Sequence, residues 1–107
     1  MKRYLLTRSA KKDIDEIWLY IAQRSDNVTP AERLISQLHR TIVSLAANPL
    51  IGRRCEEIDE RGRCFSAGDY IVYYREESAR IAITHVFHSK RDQKKAWRET
   101  QSRKPSR

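Results

Sequence analysis

Residues 70–88 constrain the fold of this chain more than any other stretch. Tyr70-Ile71-Val72-Tyr73-Tyr74-Arg75 and Arg80-Ile81-Ala82-Ile83-Thr84-His85-Val86-Phe87-His88 are runs of β-branched and aromatic residues, the composition of strands. The short polar Glu76-Glu77-Ser78-Ala79 between them suits a turn, so the stretch reads as a β-hairpin. Side chains alternate along a strand, which places Ile81, Ile83, His85 and Phe87 on one face and Ala82, Thr84, Val86 and His88 on the other. Neither face is purely polar. One needs a cover, and the other, carrying Tyr, His and Arg side chains, is expected to face a partner.

The cover comes from upstream. After a short strand over Lys2 to Leu6, Thr7 or Ser9 can cap a helix. Apolar residues at Ala10, Ile14, Ile17, Trp18 and Ile21 fall on one helical face, and Lys11, Lys12, Asp13, Asp15 and Glu16 take the other side. The spacing assigns Trp18 to the core. Ser25-Asp26-Asn27 supplies turn formers and should end the helix near Arg24. Thr29-Pro30-Ala31-Glu32 then announces a second helix, with Thr29 as N-cap, Pro30 at the first helical position and Glu32 closing a capping box. Its stripe is Ala31, Leu34, Ile35, Leu38, Ile42, Leu45 and Ala46, and it stops at Asn48-Pro49, because proline disfavours helical geometry in the residue before it. Two such stripes joined by a short loop make an antiparallel helical hairpin that needs a sheet to bury against.

Leu50 to Gly62 contains Gly52 and a charged run and reads as a surface connection. A strand at Arg63-Cys64-Phe65-Ser66 then turns at Ala67-Gly68-Asp69 into the hairpin. The predicted class is therefore α+β: an N-terminal strand and an antiparallel helical hairpin packed on a curved antiparallel sheet, in the order β-α-α-β-β-β. Arg91 to Arg98 should add a short C-terminal helix. One domain over residues 1–99 and a disordered basic tail over 100–107 complete the layout, the tail holding no hydrophobic residue.

At 107 residues a chain can bury roughly 65% of its unfolded surface, enough for one thin core. No run approaches the roughly 20 apolar residues of a membrane span, and Met1 to Thr7 is too short for a signal segment, so a cytoplasmic location is expected. Cys55 and Cys64 lie outside any CxxC motif and without a neighbouring histidine; they read as reduced thiols, with no metal and no cofactor expected. The formal charge of +8 is uneven: residues 1–88 hold 14 Lys/Arg against 12 Asp/Glu, whereas residues 89–107 hold 8 against 2. The basic end suits nucleic acid, an acidic protein segment, or water.

The chain resembles the RelE/ParE superfamily of toxins from bacterial type II toxin–antitoxin pairs, and within it the ParE branch. The resemblance is carried, in order, by the opening strand into Thr7 and Ala10, by Asp13-Ile14 with Ile17-Trp18-Leu19-Tyr20-Ile21, and by Asn48-Pro49-Leu50-Ile51-Gly52-Arg53. It continues through Arg63-Cys64-Phe65, Tyr70 to Arg75, and Val86-Phe87-His88 leading into Arg91-Asp92. It implies a toxin neutralised by a cognate, ParD-like antitoxin whose C-terminal segment wraps over the helices and sheet. For the ParE branch the implied target is DNA gyrase; for the RelE branch it is mRNA cut on the ribosome. Fold alone does not choose, because function sits in the site residues.

Cleavage of RNA by 2′-hydroxyl attack needs a base, an acid and cations around the developing phosphorane. The resemblance places a basic side chain of the nucleases just after the tyrosine opening the third strand, where this chain has Ile71. It places an arginine after the last strand, matched by Arg91, and a tyrosine beyond it, where Trp97 stands. Indole donates but does not accept a hydrogen bond, so Trp97 cannot carry the proton. The reading is an inhibitor without catalytic residues; if the chain were a nuclease, His88, Arg91 and Arg63 would be its catalytic set. His85 and His88 should point to opposite faces. His39 belongs at the surface of the second helix. The residues expected to bind a partner are Arg63, Tyr73, Arg75, His88, Arg91 and Trp97.

Overall fold

A computed structural model describes residues 3–56, 58–91 and 95–98. Five strands form one sheet in the order β1-β5-β4-β3-β2, built from β1 (Arg3–Leu6), β2 (Arg53–Arg54), β3 (Arg63–Ala67), β4 (Tyr70–Glu77) and β5 (Arg80–His88). The helices α1 (Arg8–Ser25) and α2 (Thr29–Ala47) lie between β1 and β2 in the chain, and residues 95–98 are helical. The predicted tail over 100–107 lies outside the described residues. β2 to β5 run antiparallel to their neighbours, but β1 pairs parallel with β5, from Arg3 opposite Arg80 to Leu6 opposite Ile83. The sheet is therefore mixed, not wholly antiparallel.

Thr7 serves two elements where β1 becomes α1. Its backbone N–H extends the ladder to the Ile83 carbonyl, while its hydroxyl oxygen accepts the Ala10 N–H at 3.1 Å as a true N-cap. Asp26 ends the helix in the left-handed region, φ 54°. At α2 the expected capping box does not form. Thr29 is already helical, Asn27 Oδ1 takes its N–H at 2.8 Å, and the Val28 carbonyl takes the Glu32 N–H, leaving the box no donor to satisfy. Pro30 does sit in the first turn.

The main core lies between the helices and one face of the sheet. Ala10, Leu38, Ile42, Leu45 and Ala46 meet Ala67, Val72, Tyr74, Ile81, Ile83 and Val86, with Leu6, Ile14, Ile17, Leu34 and Ile35 at the margin. Trp18, expected inside, is half-buried and stands apart from this cluster.

The alternation expected along β5 is broken by a bulge. Tyr73 pairs with His85 but Tyr74 pairs with Ile83, so Thr84 is an extra residue, its hydroxyl donating to the Tyr73 carbonyl at 3.2 Å. One added residue inverts everything beyond it. Ile81, Ile83 and Val86 share the helix face, while His85 and Phe87 turn to the other. That second face is not open as expected. Cys55, Cys64, Tyr73, Phe87 and Ala96 form a second buried cluster there, with Ile58 and Ile71 against it, and the two thiol sulfurs lie 2.8 Å apart.

The segment after α2 is likewise more than a surface connection. The buried Tyr74 hydroxyl donates to the Pro49 carbonyl at 2.6 Å and accepts the Gly52 N–H at 3.0 Å. Any side chain at Gly52 would strike that hydroxyl and come within 2.9 Å of the Cys64 carbonyl, so only glycine allows this approach. Arg63 Nη1 donates to the Gly52 carbonyl at 2.7 Å, and the Cys55 N–H to the Gly62 carbonyl at 2.9 Å.

Candidate functional site

Because β1 stops opposite Ile83, the outer edge of β5 runs on to His88 without a neighbouring strand among the described residues. Side chains from the start of α1 cover it. Thr7 donates to the Thr84 carbonyl at 3.2 Å. One oxygen of Asp13, Oδ2, lies 3.1 Å from the Val86 N–H and 3.0 Å from His85 Nδ1. The carboxylate and imidazole are both largely withdrawn from solvent, with side chains 14% and 4% exposed. A carboxylate receiving both a backbone and a ring N–H fixes the ring in place.

On the helix side of this edge a cleft of about 390 Å³ opens between α1 and the end of the β4–β5 pair. Asp13, Glu16, Ile17 and Tyr20 form one wall and Tyr70, Val86, Phe87, His88 and Arg91 the other. His88 Nδ1 accepts the Lys90 N–H at 3.1 Å, and its ring meets Tyr70 edge-on at 5.1 Å. Burial, then the nearby Asp69 and Tyr20, push the Tyr70 hydroxyl above its ordinary range. On the other side of the edge His85 stacks on Phe87, with centroids 4.8 Å apart and planes 24° from parallel, and meets the indole of Trp97 at 4.8 Å and 69°. The Arg91 guanidinium sits 5.0 Å over the Phe87 ring, a favourable cation–π placement.

The structure thus gathers some of the residues picked out from sequence and separates others. His88 and Arg91 share the cleft, and Trp97 sits half-buried at the opposite side of the same edge. Arg63 does not line the cleft; it is tied to Gly52. Tyr73 is 2% exposed within the second cluster, so its ring does not reach a partner. Arg75 is turned in between Asp59 and Glu77, at 3.7 and 3.8 Å. His85 and His88 take opposite faces, as the alternation requires. His39 is exposed on α2, near Tyr4.

Asp13, expected on the solvent side of its helix, instead faces the sheet edge. It lies three residues after Ala10 and four before Ile17, inside the buried stripe. Together with a last strand that outruns the first, that spacing is the available sign of a carboxylate facing an unpaired sheet edge.

Among the described residues no group of three or more His, Cys, Asp or Glu is placed to hold a metal ion, and no helix is long and apolar enough to cross a membrane.

The architecture matches a chain of a solved structure described as the "Chromosomal ParDE TA system from P. aeruginosa", with TM-score 0.70 over 82% of this chain and 96% of that one at 20% identity. In sequence the chain is 37% identical over 91 residues to "Toxin ParE1" of Mycobacterium tuberculosis, covering 84% of this chain and 92% of the relative. It is 36% identical over 88 residues to "Toxin ParE1" of Caulobacter vibrioides, covering 82% and 90%. The family described as "ParE toxin of type II toxin-antitoxin system, parDE" matches residues 4–93, which take in the helical hairpin, all of the sheet but Arg3, and the cleft. By fold, relatives and family match together, the chain belongs to the ParE toxins of type II toxin–antitoxin systems.

Proposed function

We propose that this toxin inhibits DNA gyrase in the cytoplasm and is neutralised by a cognate ParD-like antitoxin, acting by binding and not by bond-breaking of its own. The observation that carries the reading is the family match together with what stands at the nuclease positions. Ile71 packs against the second cluster and Trp97 against His85, and neither side chain can move a proton at neutral pH. The nuclease set His88, Arg91 and Arg63 is divided between the cleft and the Gly52 segment, too dispersed for the concerted acid–base work that RNA cleavage needs. The contact surface of the toxin is then the C-terminal segment with Trp97 and Arg91.

The antitoxin would dock on the outer helix surfaces and the β1 edge, where Leu19, Tyr20, Val43, Tyr4 and Leu5 are exposed, through an acidic or amphipathic segment lying in a groove or adding a strand. A second reading, a RelE-like ribosome-dependent mRNA endoribonuclease, is favoured by one feature: His88 and Arg91 share their cleft with Asp13, Glu16 and Tyr70. Gyrase supercoiling and DNA-cleavage assays run beside in vitro translation separate the two. Trapped cleaved DNA with intact mRNA supports gyrase inhibition. Cut mRNA, lost on His88→Ala or Arg91→Ala, overturns it. Titration with the product of the adjacent reading frame tests the antitoxin half, and absence of a complex counts against it.

A further inference from the structure

We propose that Asp13 and His85 are positioning residues for Trp97, and that one carboxylate oxygen at the unpaired end of β5 sets how the toxin presents its C-terminal segment. The functional half of this rests on the reading that the segment is the contact surface; the positional half does not. Three observations converge. The strand pairing to β1 ends at Ile83, so the Val86 N–H needs an acceptor from elsewhere, and Asp13 Oδ2 supplies it at 3.1 Å. The same oxygen lies 3.0 Å from His85 Nδ1, which makes that nitrogen the donor and locks the ring's orientation. The locked ring is held between Phe87, stacked at 4.8 Å, and Trp97, edge-on at 4.8 Å.

Within the second cluster the C-terminal helical turn contributes Ala96, a small side chain that buries little area. The His85 ring gives Trp97 a directional contact, since aromatic pairs prefer offset or edge-to-face arrangements over free sliding. The bulge at Thr84 is what brings this about. Without that extra residue His85 would face the helices with Ile83, away from the second cluster and Trp97.

The test uses the full chain in a Trp18→Phe background, which leaves Trp97 as the sole indole of two. Trp97 emission and acrylamide quenching are compared between the parent, Asp13→Ala and Asp13→Asn, with circular dichroism confirming the fold. Asp13→Ala removes the acceptor and is expected to shift Trp97 emission to longer wavelength, increase quenching, and weaken toxicity on expression in the direction of Trp97→Ala. Asp13→Asn keeps a carbonyl oxygen for the two N–H groups and is expected to restore both readouts. A folded Asp13→Ala protein with the parent's emission and quenching overturns the proposal. If Asp13→Ala does not fold, nuclear Overhauser contacts between the His85 ring and the Trp97 indole decide it: present in the parent and in Asp13→Asn they support it, and absent from either they overturn it. A fully toxic Trp97→Ala protein would instead overturn the reading of the C-terminal segment, leaving the fluorescence comparison to decide the positional half.

Discussion

The face of the sheet beneath the helices buries Leu38, Ile42, Leu45 and Ala46 against Val72, Tyr74, Ile81, Ile83 and Val86, all within regular helices and strands. The opposite face gathers Cys55, Cys64, Tyr73, Phe87 and Ala96, of which Cys55 and Ala96 come from outside the sheet altogether. The first face is a continuous hydrophobic layer that defines the fold. The second is smaller, includes thiols and ring edges, and ends on the segment proposed for target contact. The main core thus lies on one side of the sheet and the segment proposed for target contact packs on the other, and substitutions on the two sides should separate their effects.

The largest effect is expected at the centre of the first face. Leu45 is fully buried, and Leu45→Ala removes apolar contacts and leaves a cavity, costing about 3 kcal/mol. Urea unfolding reads it directly. A loss below about 1 kcal/mol, less than the smallest typical cost of such a truncation, would mean that the helix face is not where the stability resides.

Tyr74 comes next, since it reaches from the same face to the segment after α2. Tyr74→Phe strands the Pro49 carbonyl and the Gly52 N–H that its hydroxyl serves, a cost of about 2 kcal/mol. A pH signature accompanies it. Burial raises the Tyr74 hydroxyl above its ordinary 10.0, against the smaller lowering pull of the Gly52 N–H and of Arg63. The folded protein therefore holds this proton to higher pH than the unfolded chain does. The stability it contributes is complete below the unfolded value and declines as pH rises through the folded one. Tyr74→Phe should flatten that alkaline decline in unfolding midpoints, and an unchanged slope would assign the decline to other groups, Tyr70 among them.

The two faces are also unequally legible in the sequence. The helical stripes apart from Trp18, a cap at Thr7 as one of the two candidates, and the proline stop after α2 rest on local spacing and turn chemistry, and they appear as read, whereas the α2 capping box does not. The second face depends on a bulge, and a bulge is invisible to strict alternation: Thr84 is as good a strand residue as its neighbours, and only pairing with β4 shows it to be extra. The same holds for β2, two residues long and kept in place by a distant tyrosine and Arg63. Asp13 escapes a reading by residue type because a charged residue on a helix defaults to solvent, although its spacing lies on the buried stripe.

A smaller effect tests the bulge itself. Thr84→Val keeps the shape and loses the hydroxyl bond to the Tyr73 carbonyl, for about 1 kcal/mol. If the bulge is fixed by that bond, the substitution should also loosen His85 and show as faster amide exchange at Val86. If only stability falls and exchange is unchanged, the packing on either side holds the register.

The smallest effect is expected where the sequence suggested a contact residue on the second face. Arg75 has a side chain only 19% exposed, its Nε has no hydrogen-bond partner among the described residues, and its carboxylate neighbours Asp59 and Glu77 are too far for direct bonds. Burying a guanidinium costs solvation, and long ion pairs return little of it. Arg75→Met keeps the aliphatic length and removes the charge, so stability should change by less than about 1 kcal/mol, with a gain as acceptable as a loss. Affinity for the antitoxin should stay the same, because the group is turned inward. A tenfold loss of affinity in the Arg75→Met protein, with unfolding unchanged, would return Arg75 to the contact surface and blur the division between the two faces.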